Sequence, residues 1–379
     1  MRITVLHNID DVHAEEWNAL VGTDNPFLKH EFLAALERRG CVGERFGWIP
    51  RHLLARDEAN NGLVGALPMY LKENSYGEFV FDWSWADACQ RMGRPYYPKL
   101  VVAIPYTPVT GPRVLTAAHA DHNMVARSLV NRAIQMAMNE GLSSLHLLFT
   151  TGEQTTELEE LGLLRRTGCQ FHWQNPGYRD FHEFLAQLNS RKRKKISRER
   201  RHVREAGIEM RVLHGDEADE MQLDCIHDFY RSTFVKKSGI PTLTREFFRE
   251  ICTTMGRNVV LALAYRGKVP VAGAINLRSN DILYGRHWGC RETHHSLHFE
   301  TCYYTGIDYC IEHGLKSFEP GAQGEHKISR GFLPAFTWSA HWIADERFRG
   351  AIGRYLQHED AAMKDYCEEL LSSSPYRAI

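Results

Sequence analysis

FETCYYTGIDYCIEHGLKSFEPGAQGEHKISRGF, residues 299–332, decides how this chain is read. Phe299, Tyr303, Gly306 and Cys310 stand three and four residues apart, the spacing of one helix face. Gly314 is a helix stop. KSFEPG then reads as a short strand, and a loop with glycines at 321 and 324 follows it. In that loop Glu325, His326 and Lys327 stand in a row, with Arg330 close behind. The glycines let the backbone approach a ligand closely. Glu325 and His326 are candidate proton acceptors, and Lys327 and Arg330 are candidate anion clamps. Glu300 is a third candidate base, and Gln323 and Tyr304 are expected to touch substrate. A solvated loop with scattered charges is the alternative reading.

Working outward, VVLALAYR, VPVAGAINLRSN and DILYGRHWG precede the helix as three strands, and TWSAHWIAD follows the loop as a fourth. The first half of the chain has a similar order. ITVLHNI and the helix FLKHEFLAALERRG open it. RHLLARDEA, LVGALPMYLKE and GEFVFDWSW are strand-like, VARSLVNRAIQMAMNEG is a helix, and SSLHLLF is a buried strand. Two halves with one order of elements imply a structural duplication of mixed sheets flanked by helices, an α/β (α+β) class. The expected division is a domain over 1–185, a basic linker helix over 186–207 and a second domain over 208–379.

A length of 379 residues suits two cores. With 43% hydrophobic and 25% charged residues the chain is globular, and a net charge of −1 excludes a polyanion binder acting through overall charge. Nine cysteines without a C-x-x-C pair argue against a disulfide framework or a zinc ribbon and for reduced thiols. The N-terminal stretch does not read as a signal peptide, and no apolar run reaches the roughly 18 residues of a membrane helix. A cytoplasmic protein is expected.

Three other stretches carry chemistry. SRKRKKISRERRHVRE, 190–205, holds nine Lys or Arg. It is either a solvated connecting helix or a phosphate-facing patch, with Lys192, Arg193 and Lys195 as the donor-phosphate ligands. HHSLHFE, 294–300, could ligate a metal, but its spacing is too loose. It reads better as a strand-to-helix turn facing an anion, with His298 among the phosphate ligands, and no metal is expected. FDWSWADACQRMGRPYYPKL, 81–100, sets aromatics beside Asp82, Asp87 and Lys99. Asp82, Trp83 and Trp85 are expected in a sugar or peptide groove, the competing reading being a core corner.

FDWSWADA, YYPKL, PYTPVTGPR, LHFETCYYTGIDYCIEHGL and EPGAQGEHKISRGFLPAFTWSAHW together resemble the FemAB-like predicted N-acyltransferases, a bacterial peptidoglycan biosynthesis or recognition family. The resemblance implies tandem GNAT-like domains. In Fem transferases an aminoacyl-tRNA gives its amino acid to a lysine amine of a cell-wall precursor, and a lysine ahead of a Phe-Gly-type element contacts the diphosphate. Lys327 is the most similar position here, and the basic run is similar to the helix between Fem domains. The long coiled-coil arm of some Fem proteins is missing. The GNAT pyrophosphate signature Q/R-x-x-G-x-G/A is not recognisable between 288 and 300. The resemblance therefore implies transfer from either acyl-CoA or aminoacyl-tRNA, used as co-substrate with no tightly bound cofactor, to an amine acceptor. A non-catalytic binder of a peptidoglycan fragment or another anionic ligand is the alternative, and an RNA-binding role for 191–204 is a third.

Overall fold

A computed structural model describes residues 1–22, 24–322 and 324–377. Gln323, an expected substrate contact, lies outside the described residues. The chain divides into two compact units, Met1–Cys169 with Phe336–Tyr366, and Gln170–Ala335 with Cys367–Ile379.

The first unit carries two sheets. Arg2–Leu6, His52–Arg56, Leu63–Leu67 and Leu115–Thr116 form an antiparallel one. In the other, residues 338–343 pair antiparallel with Ser144–Thr150, which runs parallel to Lys99–Val102. That strand continues antiparallel through Met69–Lys72 to Trp48–Pro50. The helix His122–Asn139 starts where the Asp121 side chain accepts from the Met124 N–H, and it buries Leu129, Ala133 and Met136. Those residues share one core with Leu53, Met69, Val102, Leu145 and Trp342.

In the second unit Ile208–His214, Val259–Arg266, Val269–Arg278 and Ile282–Cys290 make an antiparallel meander. Its last strand pairs in parallel with Ser317–Glu319, which pairs antiparallel with Trp173 and Gln174. The helix Glu220–Lys236, started by an Asp219–Gln222 capping box, packs on the meander. Gly289 permits this approach, because a Cβ there would sit 1.8 Å from the Phe229 carbonyl oxygen. Each unit is thus built on mostly antiparallel sheet with helices around it, two sheets in the first unit, the class expected for a tandem GNAT-like protein.

Several expectations need correction. GEFVFDWSW is not a strand; Trp83–Arg91 is a helix, because Trp85 and Cys89, four residues apart, bury on one side. The helix expected over 299–314 is interrupted, with Glu300–Tyr304 wound as a π-helix between Leu297–Phe299 and Thr305–Glu312. The compact units are not consecutive ranges, since residues 336–366 join the first unit through the pairing of 338–343 with Ser144–Thr150. The basic run is not a tether outside the domains. Ser190–Glu205 is a helix within the second unit, with Ile196, Glu199 and Val203 buried at three- and four-residue spacing. Among the described residues no helix is long and apolar enough to cross a membrane.

Candidate active site

The parallel pair in the second unit is short. Ile282 faces Ser317, Leu283 faces Phe318 and Tyr284 faces Glu319, and there the pairing ends. On the other edge of Ile282–Cys290 the register slips: His287 lies opposite Ile275 and Gly285 opposite Asn276, leaving Arg286 as the inserted residue of a bulge. Bulges re-aim side chains and recur beside active sites. Gly285 is needed where the chain leaves the strand Ser317–Glu319, since a Cβ on it would sit 3.1 Å from Pro320 Cα.

Glu319 closes that short strand. It is 9% exposed, and its Oε2 is buried without a hydrogen-bond partner. Burial pushes its carboxyl up to about 8, with the Arg286 charge working the other way. Burial also pulls the Arg286 guanidinium down to about 10. A buried, underpartnered carboxyl that titrates near neutrality is equipped to accept a proton.

The glycine loop follows at once. Gly324 has φ +118°, a single helical stretch Glu325–Arg330 comes next, and Gly331 ends it at φ +94°. Lys327 is 2% exposed, and its Nζ donates to the Gly321 carbonyl at 2.6 Å, which fixes the loop on itself. Burial lowers this amine to about 8. Arg330 lies over the Phe299 ring at 3.3 Å and donates from one terminal nitrogen to both Glu199 oxygens, at 2.9 and 3.1 Å. Tyr304 donates its hydroxyl to the same carboxylate. The basic helix is therefore bolted to the loop through the one acid on its inward face.

The expected residues fall into distinct environments. Glu325 is exposed at the start of the 325–330 helix. His326 is exposed too, with Nε2 2.9 Å from the Tyr303 hydroxyl; burial and the charges of Arg330, Lys327 and Lys195 lower its pKa. Glu300 is buried in an ion pair with Arg200 at 3.0 Å, which also holds Asp308 at 2.6 Å. Burial raises the Glu300 carboxyl while Arg200 opposes the rise. Tyr304 lies wholly in the core beneath Arg330. His298 is enclosed by Trp288, Phe299 and Tyr303, and burial holds it down to about 4, so it is a neutral ring at physiological pH. Lys192, Arg193 and Lys195 occupy the first turns of the basic helix, half-buried. Lys192 is lowered by burial and then by the charges of Lys195, Arg191 and Arg330, which places these cations in one field. The second unit thus gathers Lys327, Arg330, His326, Lys192 and Lys195.

Asp82, Trp83 and Trp85 belong to the first unit. Asp82 is buried against Lys99, Trp83 is exposed, and Trp85 packs edge-on against His341 at 5.0 Å. Among the described residues no group of three or more His, Cys, Asp or Glu side chains could hold a metal ion.

Sequence reasoning did not assign Glu319, Arg286 or Glu199 to the site. Glu319 heads the loop motif and ends a strand whose Phe318 is buried, a pattern that could have singled it out. Glu199 lies three residues after Ile196 and four before Val203, so helical spacing marks it as inward-facing. Nothing in the sequence marks the bulge at Arg286.

The model of the FemAB-like family, described as peptidoglycan biosynthesis/recognition, matches residues 8–378. The chain belongs to the FemAB-like family. No curated protein matches it. Among solved structures it is similar to FemX, with 11% identity, a TM-score of 0.56 and coverage of 93% of this chain and 100% of that one. It is also similar to the C-terminal domain of a protein described as a lysylphosphatidylglycerol synthetase from Agrobacterium fabrum, at 8% identity and TM-score 0.56, covering 90% and 95% of the two chains. A third similar structure is L-PGS from Bacillus licheniformis, at 10% identity and TM-score 0.51, covering 85% and 95%. At these identities the structures testify to the fold. This FemAB-like chain is accordingly a transferase by family.

Proposed function

We propose that this FemAB-like protein transfers an acyl or aminoacyl group to an amine, with Glu319 as the general base. The observation that carries the proposal is the buried Glu319 carboxyl, with an unpartnered oxygen, at the point where the parallel strands stop pairing. Glu300 is committed to Arg200, which makes it a poorer base than Glu319. The donor is an acyl-CoA or an aminoacyl-tRNA, whose phosphates suit the cations Lys327, Arg330, Lys192 and Lys195. The acceptor is an amine such as that of a peptidoglycan precursor. The amine nitrogen attacks the acyl carbonyl, forming the C–N bond. Glu319 takes the amine proton and passes it to the donor's sulfur or ribose oxygen as the bond to that atom breaks, so the donor leaves as a thiol or hydroxyl. Because both substrates are held together, positioning supplies much of the acceleration. Among the earlier candidates, His326 and Glu325 stand on the loop as substrate contacts rather than as the base.

The test is transfer of radiolabelled acyl groups from acyl-CoAs and from charged tRNAs to amine acceptors. Glu319→Gln should lower turnover by about 10²–10⁴-fold, the usual loss for a positioned base, while the protein stays folded. Unchanged turnover in Glu319→Gln sinks the assignment. A folded protein whose thermal stability responds to a peptidoglycan fragment but to neither donor is a binder instead.

A further inference from the structure

The second unit carries a turn that its own hydrogen bonds hold out in water, and the transfer reading does not use it. The helix Glu220–Lys236 stops at a reversal in which Ser238 stands at φ +53°. The Gly239 N–H donates to the Phe234 carbonyl at 2.9 Å and the Lys237 N–H to the same oxygen at 3.1 Å, the bonding of a left-handed helix stop. Further on, the N–H groups of Thr242 and Leu243 donate to the Tyr230 hydroxyl at 2.9 and 3.0 Å, and Tyr230 is buried. The turn is thus tied down at both ends, yet it leaves Val235 71% and Ile240 69% exposed. From Tyr230 to Thr244 the chain has three cations, Arg231, Lys236 and Lys237, and no acid. Asp228 ahead of the turn is paired with Arg291 at 2.7 Å, and Glu246 beyond it belongs to the next helix. Among the described residues neither Arg231 nor Lys237 is paired with an acid, and Lys236 reaches only the Cys290 carbonyl, at 3.4 Å, and its sulfur. A nucleic acid would take these cations and leave the aliphatic side chains wet. An apolar protein groove would cover the aliphatics and leave the cations without partners. A bilayer with anionic headgroups takes both, since lysine stems can lie along apolar surface while their ammonium groups stay at the phosphates.

We propose that the turn over 231–242 docks this unit on an anionic phospholipid surface, with Val235 and Ile240 entering the headgroup boundary and Arg231, Lys236 and Lys237 on lipid phosphates. The contact is peripheral and reversible, because two aliphatic side chains and three cations are a weak anchor. The turn borders the second unit's site, since Lys237 is one of the charges that lower His298, whose ring lies 6.3 Å from that of His326. Docking therefore brings that flank of the site to the headgroups. The proposal concerns equilibrium binding and does not rest on the transfer reading. A protein that binds vesicles but transfers nothing upholds it, and one that transfers but ignores vesicles does not.

The experiment is co-sedimentation of the whole protein with vesicles of equal parts phosphatidylcholine and phosphatidylglycerol, and with phosphatidylcholine vesicles as the neutral control, at 50 and 200 mM NaCl. Saturable binding to the anionic vesicles is expected, weaker at the higher salt because screening shortens the reach of the cations. Each cation at such a surface is worth about fivefold in affinity, so Lys236→Gln with Lys237→Gln should weaken binding about 20–30-fold and flatten its salt dependence. Val235→Ser with Ile240→Ser should weaken it at least about tenfold while leaving the salt dependence in place, because buried methylenes are lost and no charge is. All four side chains are exposed, so both double variants should keep the urea midpoint of the natural protein. Absence of saturable binding to anionic vesicles, or equal binding to neutral ones, would overturn the proposal. So would undiminished binding in both double variants, which would assign the vesicle contact to the basic helix Ser190–Glu205, or loss in the lysine variant alone, which would make the turn a general polyanion contact.

Discussion

Replacing Glu319 by glutamine should make the protein more stable in alkali and leave it unchanged in acid. The reasoning starts from the carboxyl's environment. In the unfolded chain Glu319 titrates at its ordinary value of 4.5, whereas in the folded protein burial raises it to about 8. Below pH 4.5 the group is neutral in both states and contributes nothing unfavourable. Between 4.5 and about 8 the folded state holds a proton that the unfolded state has released, so stability falls as pH rises. Each pH unit across that interval is worth about 1.4 kcal/mol, which sums to roughly 5 kcal/mol by pH 8 and above. Glutamine mimics the neutral carboxyl and escapes this loss. Urea denaturation at pH 4, 6, 7 and 9 measures the difference. The variant and the natural protein should coincide at pH 4 and separate progressively to several kcal/mol at pH 9. A constant difference across that range would mean that Glu319 is solvated in the folded state, and its role as a base would fall with it.

Other outcomes follow from the same geometry. Arg330 and Glu199 are 3% and 7% exposed, so Arg330→Ala should destabilise by about 3–5 kcal/mol by removing the buried carboxylate's nearest charged partner and leaving it the Tyr304 hydroxyl and Lys195 at 3.9 Å. Arg330→Met with Glu199→Leu should recover most of that, and a double-mutant cycle without coupling would refute the pair. Lys327→Ala should weaken donor binding and flatten its dependence on salt, read by titration at 50 and 200 mM NaCl; an unaltered slope would take Lys327 away from phosphate. His298 should remain neutral down to about pH 5 in an NMR titration, because burial first and His326 and Arg330 next hold it near 4.

How much of this was legible in the sequence varies by feature. The loop glycines, the helix stop at Gly314 and the last three meander strands could be read because turn chemistry and apolar runs are local signals, whereas Ile208–His214 is not read as a strand from the sequence. The strand reading of GEFVFDWSW failed because alternating aromatics suggested a sheet face. Phe79, Phe81 and Trp83 are instead exposed, Trp85 is buried, and the acids Glu78 and Asp82 turn inward to Lys99, a partner distant in sequence. Glu300 looked like a free base because Arg200, one hundred residues earlier, cannot be paired with it by inspection. The π segment Glu300–Tyr304, of a kind that recurs at functional sites, leaves no local signature, and neither does the bulge at Arg286. Pairings of that range are set by sheet register, which a single sequence does not display.

The most direct measurement of the central claim is the pH dependence of kcat/KM for acyl transfer to an amine, in the natural protein and in Glu319→Gln. The natural protein should rise tenfold per pH unit and level off near pH 8, as a single proton leaves the base. Glu319→Gln should be slower by about 10²–10⁴-fold and lack that limb. An identical profile in both proteins would contradict the assignment.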